Sequence, residues 1–448
     1  MKFAVARRST TAASTSTRRH GHSSTAGSRG DASSDTPVHS SRCPAARPTA
    51  ARWRSYDRSR RDACEAQVSE RETANGERQR RRLVVKCGTN LLTAGTEQLD
   101  RDVMAAIAGQ IADVRELGCE VILVTSGAIA AGRARLGSRA SRPQHLTRRQ
   151  VLAAVGQAQL FWYWDELLAG RGITAAQALL TRGDLADRQG YLNARNTLLA
   201  LLDLGVVPIV NENDVVSIEE IQDATIGDND NLSAQVANLV DADLLLLLTA
   251  TAGLYTADPA TDPDARLIEH VDHIGPAIEE AAAGQAGRLG TGGMATKVEA
   301  ARLATQSGAH AVIADGRESD VVRRAVAGES VGTHFYPTVD RLESRRRFLL
   351  SALRERGRIT VDDGAVRALV RDGKSLLPAG IVSASGDFGR GDVVRVETRE
   401  GEHIASGTTN YAAGDIERIR GMHSDRIEQV LGYDYGDEVV HRNNLVLV

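Results

Sequence analysis

The stretch Val206-Val207-Pro208-Ile209-Val210-Asn211-Glu212-Asn213-Asp214 decides the fold of this chain. Its first five residues are apolar and mostly β-branched, which predicts a buried strand over 206–210. The polar cluster 211–214 therefore falls at the carboxyl end of that strand, where ligands bind in open α/β sheets. A second polar cluster, Gly227-Asp228-Asn229-Asp230, follows after a short loop. The two clusters together predict a polar substrate pocket.

Strands and helices alternate on both sides of this stretch. Apolar runs predict further strands over 82–86, 121–124, 173–178, 244–248 and 309–314. Apolar residues at helical spacing predict helices over 100–117, 149–169, 190–204, 232–240 and 295–305. Such alternation predicts a doubly wound, mostly parallel α/β sheet that ends near 333–336.

The chain divides into four predicted segments. Residues 1–81 form a basic extension without a core, 82–336 the α/β domain, 337–356 a helical linker, and 357–448 a small β-rich domain with short strands and Gly/Pro turns. Residues 1–82 hold 18 basic and 8 acidic side chains, leaving 37 and 50 in the remainder. The extension fits a disordered segment or an artefact of a misplaced start codon, and its Arg- and Ser-rich first part also fits a targeting segment.

Composition limits the classes of protein to consider. At 448 residues, with 42% hydrophobic and 25% charged residues, the chain is typical of a soluble globular protein. No apolar run approaches the roughly 18 residues of a membrane span, and the four cysteines have no metal-ligand spacing. An acidic body gives no general reason to bind nucleic acid. We therefore expect a cytoplasmic protein that binds neither a membrane nor, as its main role, RNA.

Two strand ends carry candidate anion-binding groups. Lys86 closes the first strand before Gly88-Thr89-Asn90, which places an ammonium beside a loop with free backbone amides. A solvated surface lysine is the alternative interpretation. Ser126 and Gly127 open a helix after the second strand, and Ser126 either caps that helix or holds a carboxylate or phosphate.

A glycine-rich loop precedes a third candidate group. The sequence Gly290-Thr291-Gly292-Gly293-Met294-Ala295-Thr296-Lys297 runs into a helix with a lysine in its first turn, where the helix dipole favours an anion. A plain turn is the alternative. The acidic clusters also have an alternative interpretation, since Asp230 or Asn231 before Leu232 could be a helix N-cap.

As a set, these motifs resemble the glutamate 5-kinases in their two-domain form, over about four fifths of the chain. The resemblance is carried by the two polar clusters and by the following stretches: Val84 to Thr89, Val124 to Ile129, Tyr191 to Thr197, Gly253-Leu254-Tyr255 with Asp258-Pro259, and Gly290 to Lys297. The C-terminal stretches 361–365, 375–378 and 380–381 resemble the PUA domain that many members append to the amino acid kinase fold. The resemblance implies ATP-dependent phosphorylation of the L-glutamate side-chain carboxylate, the first step of proline biosynthesis.

The resemblance also implies roles for individual residues. Lys86, Lys297 and Asp230 would be catalytic. ATP would contact Lys86, Thr249, Ala250 and the run Thr291, Gly292, Gly293, Met294, Ala295, Thr296 and Lys297. Glutamate would contact Ser126, Gly127, Asn211, Asp214 and Asn229. Mg²⁺ would be held mainly by the ATP phosphates, without protein side chains. Proline as feedback inhibitor, glutamate-5-semialdehyde dehydrogenase as downstream partner and a homo-oligomer are further expectations.

The sequence departs from the family pattern at three places, and three other functions compete with the one that the resemblance implies. Asn90 stands where serine is common, Ala250 replaces a usual aspartate, and the loop between Asp214 and Asp228 is longer than usual. A kinase of the same fold that acts on aspartate, acetylglutamate, carbamate or a nucleotide is the nearest rival. An RNA-binding protein and a catalytically inactive regulator are two others.

Overall fold

The computed structural model of the protein describes residues 71–72, 78–79, 81–137, 146–216, 228–285, 293–337 and 356–448. Most of the predicted extension and of the predicted linker lies outside these residues. Within the extension, strands β1 (Arg71–Glu72) and β2 (Arg78–Gln79) pair antiparallel. Among the described helices, none is long and apolar enough to cross a membrane.

An eight-stranded sheet organises the first part of the chain. Its strands are β3 (Arg82–Cys87), β4 (Glu120–Thr125), β5 (Ala175–Leu180), β6 (Val207–Glu212), β7 (Leu244–Thr249), β8 (His270–Val271), β9 (His310–Asp315) and β10 (Thr333–Phe335). Their spatial order is β5-β6-β4-β3-β7-β9-β10-β8. Neighbouring strands are parallel except β9 and β10. The predicted, mostly parallel α/β sheet is confirmed.

Helices cover both faces of this sheet. They are α1 (Thr89–Leu92), α2 (Arg101–Glu116), α3 (Ala128–Leu136), α4 (Leu146–Ala169), α5 (Arg182–Ala186), α6 (Arg188–Asp203), α7 (Asp228–Leu239), α8 (Pro276–Ala283), α9 (Met294–Gln306) and α10 (Val321–Val326). Successive residues of a strand point to opposite faces. Leu83 and Val85 therefore pack into one core with α2 and α4. Val84 packs into the other core, with α6, α7 and α9.

Several element boundaries differ from the sequence-based predictions. Helix α7 begins at Asp228, four residues before the predicted start. The prediction was late because Asp and Asn are more typical of caps and turns than of helix interiors. Strand β5 begins at Ala175 rather than at residue 173. Gly88 has a φ of −78°, so the turn after β3 does not depend on glycine. Strands β8 and β10 were missed because they are too short to show periodicity.

A separate five-stranded sheet forms the C-terminal part. Its strands are β11 (Gly357–Val361), β12 (Ile381–Gly386), β13 (Val393–Glu397), β14 (His403–Thr408) and β15 (Leu445–Leu447), in the spatial order β12-β11-β13-β14-β15. Helices α11 (Asp363–Val370), α12 (Ala413–Ile419) and α13 (Ile427–Leu431) complete it, with short 3₁₀ turns at Pro378–Gly380, Ser424–Arg426 and Arg442–Asn444. Its strands and helices share one apolar core. The predicted β-rich C-terminal sheet is confirmed.

Arg195 of α6 joins the two sheets. Its side chain is buried, and its Nε donates to Asn444 Oδ1 at 2.7 Å. Its Nη2 donates to Asn443 O at 2.7 Å and to Asp241 Oδ2 at 2.6 Å. Its Nη1 donates to Leu239 O, the last residue of α7. One guanidinium therefore links the C-terminal part to the end of α7.

Candidate active site

The direction of strand β3 decides where Lys86 points. Lys86 shares the strand face of Val84, so its side chain extends toward α7 and α9. It is 5% exposed, and its Nζ lies 2.5 Å from Asp230 Oδ1. The alternative interpretation of Lys86 as a solvated surface lysine is therefore wrong.

Asp230 lies between two lysines. Its Oδ1 contacts Lys86, while Lys297 Nζ lies 3.2 Å from its Oδ2 and Thr296 Oγ1 donates to the same oxygen at 2.7 Å. Asp230 is only 1% exposed and is the third residue of α7. The N-cap interpretation of Asp230 and Asn231 is wrong, because the helix begins at Asp228.

Lys297 occupies the first turn of α9, as predicted. It is 7% exposed and also donates to Gly293 O at 3.4 Å. Thr296 Oγ1 lies 2.9 Å from the same carbonyl. Thr296 and Lys297 thus contact Asp230 from the start of α9, where backbone amides lack helical partners.

The electrostatics of this group keep Asp230 ionised. Burial alone would raise the pKa of its carboxyl group. The charges of Lys86 and Lys297 and the hydrogen bonds from Lys86 and Thr296 have the larger effect, and they lower this pKa from its ordinary value of 3.8 to about 2. Burial lowers the pKa of Lys297, as does Lys86, while Asp230 opposes that shift. With both lysines protonated, the three side chains carry a net charge of +1. Uncompensated buried charge is unfavourable, so the group favours an added anion.

A second polar group lies at the carboxyl ends of β4 and β6. Asn229 Nδ2 donates to Ser126 Oγ at 2.9 Å, to Asn211 Oδ1 at 3.0 Å and to Thr125 O at 3.2 Å. Ser126 and Asn211 are buried, and Asn229 is half-buried. Asn229 and Asp230 are consecutive in α7, so one helix start supplies both polar groups.

Gly127 lets the chain turn directly from β4 into α3. Its φ is +105°, a conformation that favours glycine, and a Cβ there would lie 3.0 Å from Leu99 Cδ2. Gly127 occupies the N-cap position of α3 without a side-chain cap. Ser126 therefore does not cap α3, and that interpretation is wrong.

The remaining predicted site residues are placed as follows. Thr249 ends β7, and the carbonyl of Ala250 accepts a hydrogen bond from Arg317 Nη2 at 2.7 Å. Met294 is buried in the core below α9, whereas Ala295 is exposed. Asp214 is half-buried in the turn after β6. Thr291, Gly292, Gly227 and most of the 215–227 loop lie outside the described residues.

Three residues that contact predicted site residues or their immediate neighbours were not identified from the sequence. Gln157 Oε1 accepts a hydrogen bond from Asn211 Nδ2 at 2.7 Å, and Trp164 Nε1 donates to Thr125 Oγ1 at 2.9 Å. Both residues lie on α4, where they read as ordinary residues of an amphipathic helix. Arg317, which also contacts Asp315 Oδ2 at 2.6 Å, follows β9 without any motif.

Two family models match the chain. Residues 81–315 match the amino acid kinase family, and residues 357–431 match the PUA domain. Among curated proteins, a glutamate 5-kinase of Dehalococcoides mccartyi is 54% identical over 368 residues, which is 82% of this chain and 98% of that protein. The chain belongs to the glutamate 5-kinase group of the amino acid kinase family.

Other members of the glutamate 5-kinase group show similar coverage. A relative from Herpetosiphon aurantiacus is 50% identical over 365 residues, and one from Shewanella halifaxensis is 48% identical over 368 residues. Each alignment covers 82% of this chain and 98% of the relative. Such coverage extends over both sheets, so membership rests on the whole two-domain body and not on one motif. The resemblance to the family is confirmed.

The described side chains fit the ATP that a kinase of this family uses. The buried group Lys86–Asp230–Lys297 has an excess positive charge, and phosphate oxygens would neutralise it. Within the described ranges, no set of three His, Cys, Asp or Glu side chains could hold a metal ion. The nearest carboxylate, Asp230, already contacts both lysines.

Proposed function

We propose that this chain transfers the γ-phosphoryl group of ATP to the side-chain carboxylate of L-glutamate, which gives L-glutamyl 5-phosphate and ADP. One observation carries the proposal: a single buried carboxylate, Asp230, lies between the ammonium groups of Lys86 and Lys297. This arrangement suits the negative charge of a phosphoryl group in transfer. The glutamate 5-kinases that match the chain support glutamate as the acceptor.

The acceptor needs no general base. A glutamate carboxylate has a reference pKa of about 4.3 and is ionised near neutral pH. One of its oxygens forms the new bond to phosphorus while the bond to the β,γ-bridging oxygen breaks, and that oxygen leaves with ADP. The protein therefore has to align two anions and neutralise their charge.

We assign this alignment to three side chains. Lys86 and Lys297 approach from two directions, and Asp230 fixes the position of both ammonium groups. Thr296 holds Asp230 Oδ2 through its hydroxyl group. The backbone amides at the start of α9, from Gly293 onward, would face the ATP phosphates. Thr249, Ala250 and the glycine-rich loop before α9 would also contact ATP. Mg²⁺ would enter with the nucleotide, held mainly by the ATP phosphates, and would supply further positive charge there.

Glutamate would lie on the other side of Asp230. Ser126, Asn211 and Asn229 form one hydrogen-bonded group there, next to Gly127 and the free amides at the start of α3. Amides at a helix start favour a carboxylate. Asp214 would attract the ammonium group of glutamate from the turn after β6.

Family membership alone supports the remaining expectations. They are a place as the first step of proline biosynthesis, feedback inhibition by proline, delivery of the product to glutamate-5-semialdehyde dehydrogenase, a homo-oligomer and a cytoplasmic location. The assignment of 82–336 as the kinase domain and 357–448 as the PUA-like domain is supported by the family matches over 81–315 and 357–431. The assignment of 1–81 as an extension and 337–356 as a linker stays a prediction from the sequence pattern.

A hydroxylamine trap tests the proposed reaction. The full chain is incubated with Mg-ATP, hydroxylamine and L-glutamate, with L-aspartate or N-acetyl-L-glutamate in parallel. We expect glutamyl hydroxamate and equimolar ADP with L-glutamate only. Hydroxamate formed faster from aspartate or N-acetylglutamate, or no hydroxamate from glutamate with a folded protein, would contradict the proposal.

A further inference from the structure

The hydrogen bonds of Asn229 fix the orientation of its carboxamide. Its Nδ2 lies 3.2 Å from Thr125 O, and a backbone carbonyl can only accept a hydrogen bond. The NH₂ group must therefore face Thr125, and its two hydrogens are shared among three acceptors, Thr125 O, Ser126 Oγ and Asn211 Oδ1. Asn229 Oδ1 is left buried and without a partner in the part of the chain that the structure describes.

The orientation of Asn211 follows from that of Asn229. Because Asn211 Oδ1 accepts from Asn229, its own Nδ2 points the other way, toward α4. There it donates to Gln157 Oε1 at 2.7 Å. Asn211 is only 2% exposed, so water does not readily replace either partner. The three carboxamides Gln157, Asn211 and Asn229 form a chain of two hydrogen bonds, which we call the relay. In it, the orientation of each carboxamide depends on that of its neighbour.

Close helix packing holds α4 at the distance that this relay requires. A Cβ at Gly156 would lie 1.8 Å from Ala128 O, so only glycine lets α4 approach the start of α3 this closely. Trp164, further along α4, donates to Thr125 Oγ1 at 2.9 Å. The helix therefore fixes both Gln157 and the residue that anchors Asn229.

We propose that Gln157 is a positioning residue that acts through Asn211 to present Asn229 Oδ1 to the α-ammonium group of glutamate. An acceptor that is buried and unpartnered requires a donor, and the ammonium is the donor that distinguishes glutamate from a plain dicarboxylate. The site then selects 2-amino dicarboxylates. This inference rests on the proposed function, because it takes glutamate as the ligand of this pocket.

Calorimetry with L-glutamate and glutarate, which lacks the amino group, tests the relay on the full chain. We expect the wild type to bind glutamate at least roughly tenfold more tightly than glutarate, as for a hydrogen bond to a charged group. In Gln157→Leu, Asn211 Nδ2 loses its acceptor, and the ratio of the two affinities should fall roughly fivefold. The KM for ATP should not change, because the lysines are untouched.

Two matched variants separate the relay from a general effect on α4. Gln157→Glu keeps an acceptor for Asn211 Nδ2, so it should keep the affinity ratio even if both ligands bind more weakly. Gln159→Leu makes the same change two residues away, where the side chain contacts Tyr163 and not Asn211. It should also keep the ratio.

Three results would overturn the inference: a wild type that binds glutarate as tightly as glutamate, an unchanged ratio in Gln157→Leu, or an equal loss in Gln157→Glu. The hydroxylamine trap is read separately on the same preparations. Absent turnover, together with a glutamate preference that is present in the wild type and falls in Gln157→Leu, would count against the proposed reaction while supporting the relay.

Discussion

Lysine is scarce in this chain, which draws attention to the two at the site. Only four of the 55 basic residues are lysines, namely Lys2, Lys86, Lys297 and Lys374. An ammonium is a compact point charge, whereas arginine offers a planar fork for bidentate contacts. Two lysines around Asp230 in an arginine-rich chain indicate that compact charges are required there. This compositional signal was available from the sequence and was missed.

Loss of one of these ammonium groups should slow phosphoryl transfer. We expect Lys297→Met to lower kcat by about 10²- to 10³-fold, the usual effect of removing one group that stabilises transition-state charge. Lys374→Met, at an exposed position of the C-terminal part, is the matched control and should leave kcat unchanged. ADP release under saturating substrates measures both, and a Lys297→Met enzyme within threefold of the wild type would contradict the assigned role.

Activity should depend on pH through Lys297 and not through Asp230. Burial lowers the pKa of Lys297 from its ordinary value of 10.5, so kcat/KM for ATP should decline on the alkaline side before pH 10.5. The pKa of Asp230, held at about 2, is below its ordinary value of 3.8. The stability that Asp230 contributes is therefore complete above pH 3.8 and is lost as the pH falls toward 2.

A pH series of direct ADP measurements checks this, with circular dichroism to confirm folding at each pH. A profile that stays flat up to pH 10.5 would show that Lys297 is not titrating below its ordinary value. If the activity of a folded enzyme falls on the acidic side at a pH well above 4, the group responsible must be one other than Asp230.

The sequence predicted the chemical role of single residues better than it predicted which residues they contact. Lys86, Asp230 and Lys297 could be identified because each stands in a short motif at a strand or helix end. Gln157 could not, since its contact with Asn211 joins residues 54 positions apart and depends on how α4 crosses the sheet. Ser126 and Asp230 were ambiguous for the same reason, because capping residues and ligand-binding residues share one composition.

At the scale of elements, helix α7 is central to the site. Its first three residues include Asn229 and Asp230, and its last residue, Leu239, accepts a hydrogen bond from Arg195. Because the residues at its start are polar, the sequence did not predict where this helix begins. By contrast, long apolar strands such as β3 and β7 could be predicted because both faces of a parallel sheet are buried.

The close contact of α3 and α4 gives a prediction at this scale. Gly156→Ala places a methyl group 1.8 Å from Ala128 O, and we expect it to lower the free energy of unfolding by about 1–3 kcal/mol or more. Gly170→Ala, just after the same helix, meets its nearest atoms at 3.5 Å and should change stability by less than about 0.5 kcal/mol. Urea unfolding of both variants measures the difference, and equal midpoints would contradict the close-packing account.

At the scale of the whole molecule, two arginines of α6 contact the C-terminal part. Arg195 is buried and has four partners, whereas the Arg188 side chain is 42% exposed and contacts Asp392. Breaking a buried ionic group leaves its partners unsatisfied, while a largely exposed pair contributes little. The contact between the two sheets should therefore depend mainly on Arg195.

Two matched substitutions test this difference. We expect Arg195→Met to lower the free energy of unfolding by about 3–5 kcal/mol, and Arg188→Met by at most about 1 kcal/mol. Urea unfolding monitored by tryptophan fluorescence compares them. A larger loss in Arg188→Met than in Arg195→Met would overturn the assignment. The sequence predicted both sheets, but it could not predict this contact, whose partners lie up to 249 positions apart.

The most direct test of the central claim follows an oxygen atom from the acceptor to the product. L-glutamate labelled with ¹⁸O in both side-chain carboxylate oxygens is turned over with unlabelled ATP in the presence of hydroxylamine, and the released phosphate is analysed by mass spectrometry. Attack of the carboxylate on phosphorus, followed by cleavage at the acyl carbon, predicts one ¹⁸O atom in each phosphate. Phosphate without ¹⁸O would mean that water accepts the phosphoryl group, and it would contradict the account.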